Sequence, residues 1–163
     1  MKGINGFCQM NIEYINPFIE ASQLVLGTAA GLPVKLGRAF IRKAPIGAGV
    51  PIVEVGLFGK ISGKGVLAIP VPVATQIVSR MMGGADISEL DELGISALSE
   101  LANMIMGNTA TILYNRGVGI DITPPRMAFG DGAALPPAGA QTISVPLAVG
   151  ELGDIELDIS VAG

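Results

Sequence analysis

The sequence contains no histidine and only one cysteine, and these absences narrow the chemistry that it can support. Without an imidazole, the chain has no serine-histidine or cysteine-histidine nucleophile, no histidine-ligated zinc and no histidine general base. Because Cys8 is alone, no disulfide can form within the chain, and we interpret this thiol as structural or incidental. Any reaction must therefore use carboxylates, carboxamides, hydroxyls or groups that a partner supplies.

Basic residues are few and scattered. The chain has 10 Lys and Arg against 14 Asp and Glu, which gives a formal net charge of -4. The basic residues form no stripe interleaved with aromatic residues, and tryptophan is absent. Because nucleic-acid binding depends on clustered positive charge, we expect no nucleic-acid partner.

A long uninterrupted apolar run is also missing, although 50% of the residues are hydrophobic. The longest uncharged stretch, Gly132 to Gly150, contains several prolines and polar residues, which predicts a loop and then a strand rather than a membrane-spanning helix. The first residues lack the apolar run of a signal peptide. With 163 residues, the chain fits one domain with ample material for a core. We therefore expect a single cytoplasmic domain over 1–163 that does not enter membranes.

Hydrophobic periodicity predicts three helices. The first runs from about Pro17 to Gly27 and starts at Asn16, because Asn is a good cap and proline fits the first turn. A shorter helix is predicted from about Val73 to Met82. The longest is predicted from about Leu90 to Asn115, where preceding acidic residues complement the positive end of the helix dipole.

Strand patterns occupy most of the remaining sequence. The predicted strands are Val34 to Arg42, Ile52 to Lys60, Val66 to Val71, Gly119 to Arg126, Thr142 to Val149 and Ile155 to Val161. The cluster Ser62 to Gly65 and the segment Gly150 to Gly153 predict hairpin turns. Together the elements predict an α+β fold, in which an antiparallel or mixed sheet is covered by two long helices and one shorter helix.

The longest predicted helix carries an unusual polar stripe. At about 100° per residue, Ser96, Glu100, Asn103 and Gly107 fall within one narrow sector opposite the apolar side. An isolated E-x-x-N on a helix is ordinarily a solvated surface. Asn is a poor helix former, however, and a glycine inside a helix costs about 1 kcal/mol relative to alanine. The longer pattern therefore predicts a docking surface.

This stripe and its flanks resemble the CheX and CheC chemotaxis phosphatases, a family that also includes FliY proteins. The resemblance spans about 11–161 and depends mainly on the long helix. Its residues are Ser96-x3-Glu100-x2-Asn103 with Met104 to Asn108 after it, supported by Arg80 to Gly84 and by Ile15 to Ile19.

The resemblance implies hydrolysis of the aspartyl phosphate on a CheY-like response regulator. Glu100 would bind the regulator's active-site lysine, and Asn103 would orient the attacking water. Ser96, Met106 and Gly107 would contact the partner. The chain would need no cofactor of its own, because the regulator supplies Mg²⁺. An acyl phosphate is already reactive, so a carboxamide that positions water can suffice without a strong base.

CheX-like proteins resemble one another in carrying one such helix and in forming homodimers, whereas CheC-like proteins have two motif helices. A similarly spaced pair here is Glu13 and Asn16, but a residue before proline is biased away from the helical conformation, and Pro17 follows Asn16. We therefore predict that Glu13 and Asn16 share no helix face and are not catalytic. The resemblance also implies a homodimer through a sheet edge. The CheC-type pattern also has a proline downstream of the motif, and Pro124 or Pro125 could correspond to it, but we favour the interpretation that both form a rigid break at the end of an edge strand.

Two other functions fit parts of the sequence. One is a non-catalytic module, related to the flagellar switch proteins, that binds the regulator without hydrolysis. The presence of both Glu100 and Asn103 argues against it. The other is a nucleotide-dependent enzyme, suggested by the glycines of 59–65, but neither G-x4-G-K-[ST] nor G-x-G-x-x-G occurs, and a hairpin turn accounts for the segment.

Overall fold

The computed structural model describes residues 2–44, 46–130 and 141–162, and side chains from residue 13 onward within these ranges up to Val161. The side chain of Cys8 and the predicted loop over 132–140 lie outside them. The helices are α1 (Lys2–Ala29), α2 (Val71–Met81) and α3 (Glu92–Asn115). The strands are β1 (Val34–Leu36), β2 (Phe40–Arg42), β3 (Pro51–Gly59), β4 (Ser62–Ala68), β5 (Ile120–Ile122), β6 (Arg126–Phe129), β7 (Thr142–Val149) and β8 (Gly153–Ala162).

These strands form one antiparallel sheet in the order β1-β7-β8-β4-β3-β5. Strand β2 also pairs with β7, and β6 also pairs with β3. The β3-β4 and β7-β8 hairpins occupy the centre, where Val66 of β4 lies opposite Asp158 of β8. The predicted α+β class, with two long helices and one shorter helix on a sheet, is confirmed.

The order of elements is repeated within the chain. A long helix, two short strands and a hairpin occur first as α1, β1, β2, β3 and β4, and again as α3, β5, β6, β7 and β8. The short strands of each half pair with the other half, because β1 and β2 pair with β7 while β5 and β6 pair with β3. The two halves are therefore interlocked around the central β4-β8 pair.

The main core lies between the helices and one face of the sheet. Helix α1 packs against α3, and both contribute fully buried side chains such as Phe18, Leu98 and Leu101. Burial of one such side chain contributes about 1.5–3 kcal/mol. A smaller apolar cluster that includes Ile52 and Val66 lies on the opposite sheet face. None of the described helices is long and apolar enough to cross a membrane.

The start of α1 differs from the prediction. The helix runs from Lys2 to Ala29 and passes through Pro17, so the predicted start at Asn16 is wrong, and α1 rather than α3 is the longest helix. Proline removes one helical hydrogen bond and disfavours a helical residue before it. Ile15, Pro17 and Phe18 are all buried, which indicates that packing of the α1 face outweighs this local preference.

The turn predicted at Ser62 to Gly65 is also wrong, because these residues begin β4. A Cβ on Gly63 would overlap the carbonyl oxygen of Ser160 in β8, and its φ of 155° is unfavourable for other residues. Glycine at this position therefore permits the close approach of β4 and β8 rather than a reversal of the chain.

Candidate active site on helix α3

Helix α3 is fixed at both ends by its own sequence. The Asp91 carboxylate caps the first turn and accepts a hydrogen bond from the Gly94 N–H at 2.9 Å. At the other end the chain turns at Gly117, whose φ is 84°. Arg116 then pairs with Glu20 of α1 at 2.9 Å. The predicted acidic start and glycine stop of this helix are confirmed.

One face of α3 is buried against the sheet and α1. Leu98, Leu101 and Ile105 are fully buried there. Met106 is also fully buried, and a Cβ added to Gly65 of β4 would lie 2.5 Å from its Cε. The structure therefore does not support the predicted partner contact through Met106. Its position, about 120° around the helix from Glu100, directs the side chain to the core.

The opposite face of α3 carries the predicted stripe. Ser96 and Glu100 are exposed, while Asn103 and Gly107 are half-buried. Residues three or four apart on a helix are neighbours, about 5–6 Å between Cβ atoms. The Glu100 carboxylate and the Asn103 carboxamide therefore lie side by side, and neither has an ion pair or side-chain hydrogen bond to another described residue. Both groups are available to a molecule that approaches this face.

Gly107 has no packing partner that would explain the absence of a side chain. A Cβ added there would meet no described atom within 4 Å apart from the nearby backbone of its own helix, and its φ is not in the left-handed region. The neighbouring Asn108, by contrast, is bonded within the helix, donating from Nδ2 to the Met104 carbonyl at 2.8 Å. Neither the backbone conformation nor the core therefore requires a glycine at this position.

The prediction that Glu13 and Asn16 share no helix face is wrong, whereas the prediction that they are not catalytic stays a prediction. Because α1 continues through Pro17, these two residues lie three apart on one helix, and both are exposed. In the repeated architecture α1 corresponds to α3, so the two E-x-x-N pairs lie on corresponding helices. They differ in the next residue, because Pro17 comes directly after Asn16 whereas Met104 comes after Asn103.

Pro124 and Pro125 lie between the short strands β5 and β6 at one edge of the sheet. Thr123 before them accepts a hydrogen bond from the Gly56 N–H at 2.8 Å and so attaches this corner to β3. The placement agrees with a rigid break beside edge strands.

A separate polar cluster on the other sheet face is absent from the sequence-based predictions. Arg42 of β2 donates from Nε to Glu156 at 2.8 Å and lies 3.4 Å from Asp158. Burial raises the pKa of Asp158 to about 7, and Glu156 adds to the rise while Ser144 and Arg42 oppose it. One Asp158 oxygen, Oδ1, is buried without a hydrogen-bond partner among the described residues. Only the strand pairing brings these residues together, so no local motif could have revealed them.

The stripe can bind and orient groups but offers little else. A carboxylate accepts hydrogen bonds from a cation, and a carboxamide both donates and accepts, which suits the placement of one water molecule. Over the ranges that the structure describes, no three His, Cys, Asp or Glu residues are grouped to hold a metal ion. The fold and the site together define an α+β protein that exposes a carboxylate and a carboxamide side by side on one helix face.

Comparison with known proteins identifies the family. Residues 51–148 match the family model of the chemotaxis phosphatase CheX. The CheY-P phosphatase CheX of Thermotoga maritima is 34% identical over 110 residues, which cover 68% of this chain and 70% of that protein. The chain belongs to the CheX family of chemotaxis phosphatases.

Solved structures share the fold. The chemotaxis protein CheX from Vibrio vulnificus has a TM-score of 0.81 and 25% identity, over 92% of this chain and 99% of that chain. CheX in the CheX-CheY-BeF₃-Mg²⁺ complex from Borrelia burgdorferi has a TM-score of 0.78 and 24% identity, over 92% of this chain and 98% of that chain. The CheX-like fold predicted from the resemblance is thereby confirmed.

Proposed function

We propose that this protein hydrolyses the aspartyl phosphate of a CheY-like response regulator through Glu100 and Asn103. The observation that carries the proposal is the pair's position, side by side on an open helix face of a CheX-family chain. The T. maritima relative is named a CheY-P phosphatase, and the B. burgdorferi structure contains CheY, BeF₃ and Mg²⁺. Both names support a phosphorylated regulator as the partner.

In this mechanism the two side chains have different tasks. Glu100 forms a charge-assisted hydrogen bond with the regulator's active-site lysine and so anchors the complex. Asn103 enters the regulator's site and holds a water molecule in line with the phosphorus. The water oxygen attacks phosphorus, the bond to the aspartate oxygen breaks, and the products are a free carboxylate and inorganic phosphate. Because the acyl phosphate is reactive, positioning supplies the acceleration and no general base on this chain is needed.

The magnesium ion of the reaction belongs to the regulator in this proposal. The stripe contributes one carboxylate, Glu100, whereas Mg²⁺ sites are built from several oxygen ligands. In the B. burgdorferi complex Mg²⁺ accompanies CheY and BeF₃. This chain therefore contributes the anchor and the water-positioning group, and we expect it to act in the cytoplasm, where it meets the regulator.

The test is the decay of phosphorylated regulator with and without this protein. In Asn103→Ala, loss of the positioned water is expected to reduce the acceleration about 100-fold or more, while regulator binding is retained. Asn16→Ala on the corresponding helix α1 is the matched control and should leave the decay unchanged. An unchanged decay with Asn103→Ala would contradict the catalytic assignment. Binding without any accelerated decay by the native chain would support the non-catalytic module instead.

A homodimer through a sheet edge is part of the same proposal. Strand β2 pairs with β7 on one side, and Phe40 and Ile41 of β2 are exposed. Exposed edge strands with apolar side chains favour pairing with another chain. Light scattering should give the mass of two chains, and a monomer at micromolar concentration would count against this contact.

A further inference from the structure

We infer that the regulator-binding surface extends along the whole of α3 and that Leu93 and Tyr114 are its apolar anchors on either side of the catalytic pair. The inference rests on the proposed function and names further residues of the same surface. Leu93 is 62% exposed and Tyr114 is 73% exposed, more than any other large hydrophobic side chain among the described residues.

Both residues lie on the stripe that carries Glu100. Leu93 is seven residues before Glu100, and Tyr114 is seven residues after Gly107, so each is about two turns further along the helix. At about 100° per residue, both lie within about 40° of Glu100 around the helix axis. The two anchors are about 31 Å apart at about 1.5 Å per residue, close to the diameter of a small domain. A globular regulator domain lying along α3 can therefore reach both.

The arrangement differs from ordinary scattered exposure of apolar residues, which is common on protein surfaces. Between the anchors Ser96, Glu100, Asn103 and Gly107 are small or polar, Met104 beside them packs against the core, and Gly107 leaves open space beside Asn103. A partner that admits Asn103 into its site can thus approach the middle of the helix closely while large side chains bury apolar surface at both ends. Tyrosine in particular is enriched among the residues that dominate interface energy.

The scaffold holds each anchor in place. Leu93 lies in the first turn of α3, which Asp91 caps, and Tyr114 lies two residues before Arg116, which is paired to Glu20 of α1. Because these side chains do not reach the phosphoryl group, they contribute equally to the bound ground state and the transition state. Their loss should therefore raise KM without changing kcat.

The experiment measures binding and catalysis separately in Leu93→Ala and Tyr114→Ala. Binding is titrated with the regulator loaded with Mg²⁺ and BeF₃⁻, and hydrolysis is followed at several concentrations of phosphorylated regulator. Each variant is expected to raise Kd and KM roughly tenfold with kcat unchanged. Tyr114→Phe should keep most of the affinity. Phe58→Ala is the matched control, because Phe58 is 50% exposed on the sheet face opposite the helices, and it should change neither constant.

The outcomes separate the two proposals. If both alanine variants keep native-like Kd and KM, Leu93 and Tyr114 are not anchors, but the proposed function stands. A fall in kcat at constant KM would likewise overturn the anchor role and leave the proposed function standing. If the phosphorylated regulator decays as fast with Asn103→Ala as with the native chain, the proposed catalytic function fails, even when Leu93 and Tyr114 contribute to regulator binding. Absence of binding between the native chain and every regulator of the same cell would overturn both.

Discussion

At the scale of single residues, Gly107 makes the helix that carries it less stable than it could be. Because its φ is helical and a Cβ would meet no described atom, Gly107→Ala should raise the free energy of unfolding by about 0.5–1 kcal/mol. In the proposed complex the same methyl group would occupy space beside Asn103 at the contact with the regulator, so KM is expected to rise severalfold. Urea denaturation and regulator decay measure the two effects.

Gly27 provides the control for this substitution. Like Gly107 it is helical and free of described neighbours outside its own helix backbone within 4 Å of a Cβ, but it is exposed and lies on α1. Gly27→Ala should stabilise the protein without altering KM. Full activity in Gly107→Ala would show that the clearance argument is wrong.

Asp158 gives a prediction for pH. Its pKa of about 7 in the folded protein is above the usual value of about 3.9 in an unfolded chain. The folded state therefore holds a proton that the unfolded state has released, and this contribution to stability is lost as pH rises through about 7. Asp158→Asn removes the ionisation. The free energy of unfolding of the variant relative to the native chain should increase by about 2–3 kcal/mol from pH 5 to pH 8, with most of the change below pH 7.

Urea titrations at these two pH values test the prediction, and Asp154→Asn serves as the control because Asp154 is exposed on the same strand. A difference between Asp158→Asn and the native chain that stays constant with pH would contradict the role of Asp158 burial. An effect on the free energy of unfolding that arises from any Asp→Asn substitution in β8 would appear equally in the control.

At the scale of elements, the two long helices differ in how far their sequences reveal them. Helix α3 begins at an acidic cap, keeps a helical apolar period and ends before Gly117, so its signals are local and the sequence predicts it well. Helix α1 contains Pro17, and the preference of proline for the first turn of a helix places the predicted start of α1 at Asn16. Packing of Ile15 and Phe18 into the core is a tertiary effect that this preference does not include.

The same distinction explains the outcome for the site. The stripe of Ser96, Glu100, Asn103 and Gly107 follows from one helical period, and the structure places all four on one open face. The predicted contact through Met106 depends on the resemblance alone, and the angular position of this residue directs it to the core. The Arg42, Glu156 and Asp158 cluster depends on pairing between β2, β7 and β8, which no spacing within one segment could reveal.

The cap of α3 supplies a prediction at this scale. Asp91→Ala removes the acceptor for the Gly94 N–H and should lower the free energy of unfolding by about 1 kcal/mol. Because the first turn carries Leu93, fraying there should also weaken regulator binding. Amide hydrogen exchange at Gly94 reports the fraying directly. Asp86→Ala, an exposed acidic residue before the helix, is the control, and equal exchange in the two variants would refute the capping role.

At the scale of the whole molecule, the two halves meet at the β4-β8 pair. Gly63 lies in this pair, and its φ of 155° and contact with the Ser160 carbonyl leave no room for a side chain. Gly63→Ala should therefore lower the free energy of unfolding by about 3 kcal/mol or more. Gly119→Ala, where a Cβ meets no described atom within 4 Å, should have little effect. Similar denaturation midpoints for the two variants would contradict the conclusion that the β4-β8 pair requires glycine at position 63.

The interlocked strands also affect how the protein is made. Val34 of β1 pairs with Val149 of β7, so a strand produced early on the ribosome must wait for more than a hundred further residues before its partner exists. At about 5–20 residues per second, this interval lasts roughly ten seconds. During that time β1 and β2 leave the ribosome with unpaired backbone groups and exposed apolar side chains. The nascent chain is therefore most prone to aggregate before β7 emerges, and chaperones that hold unfolded chains should matter most during this interval.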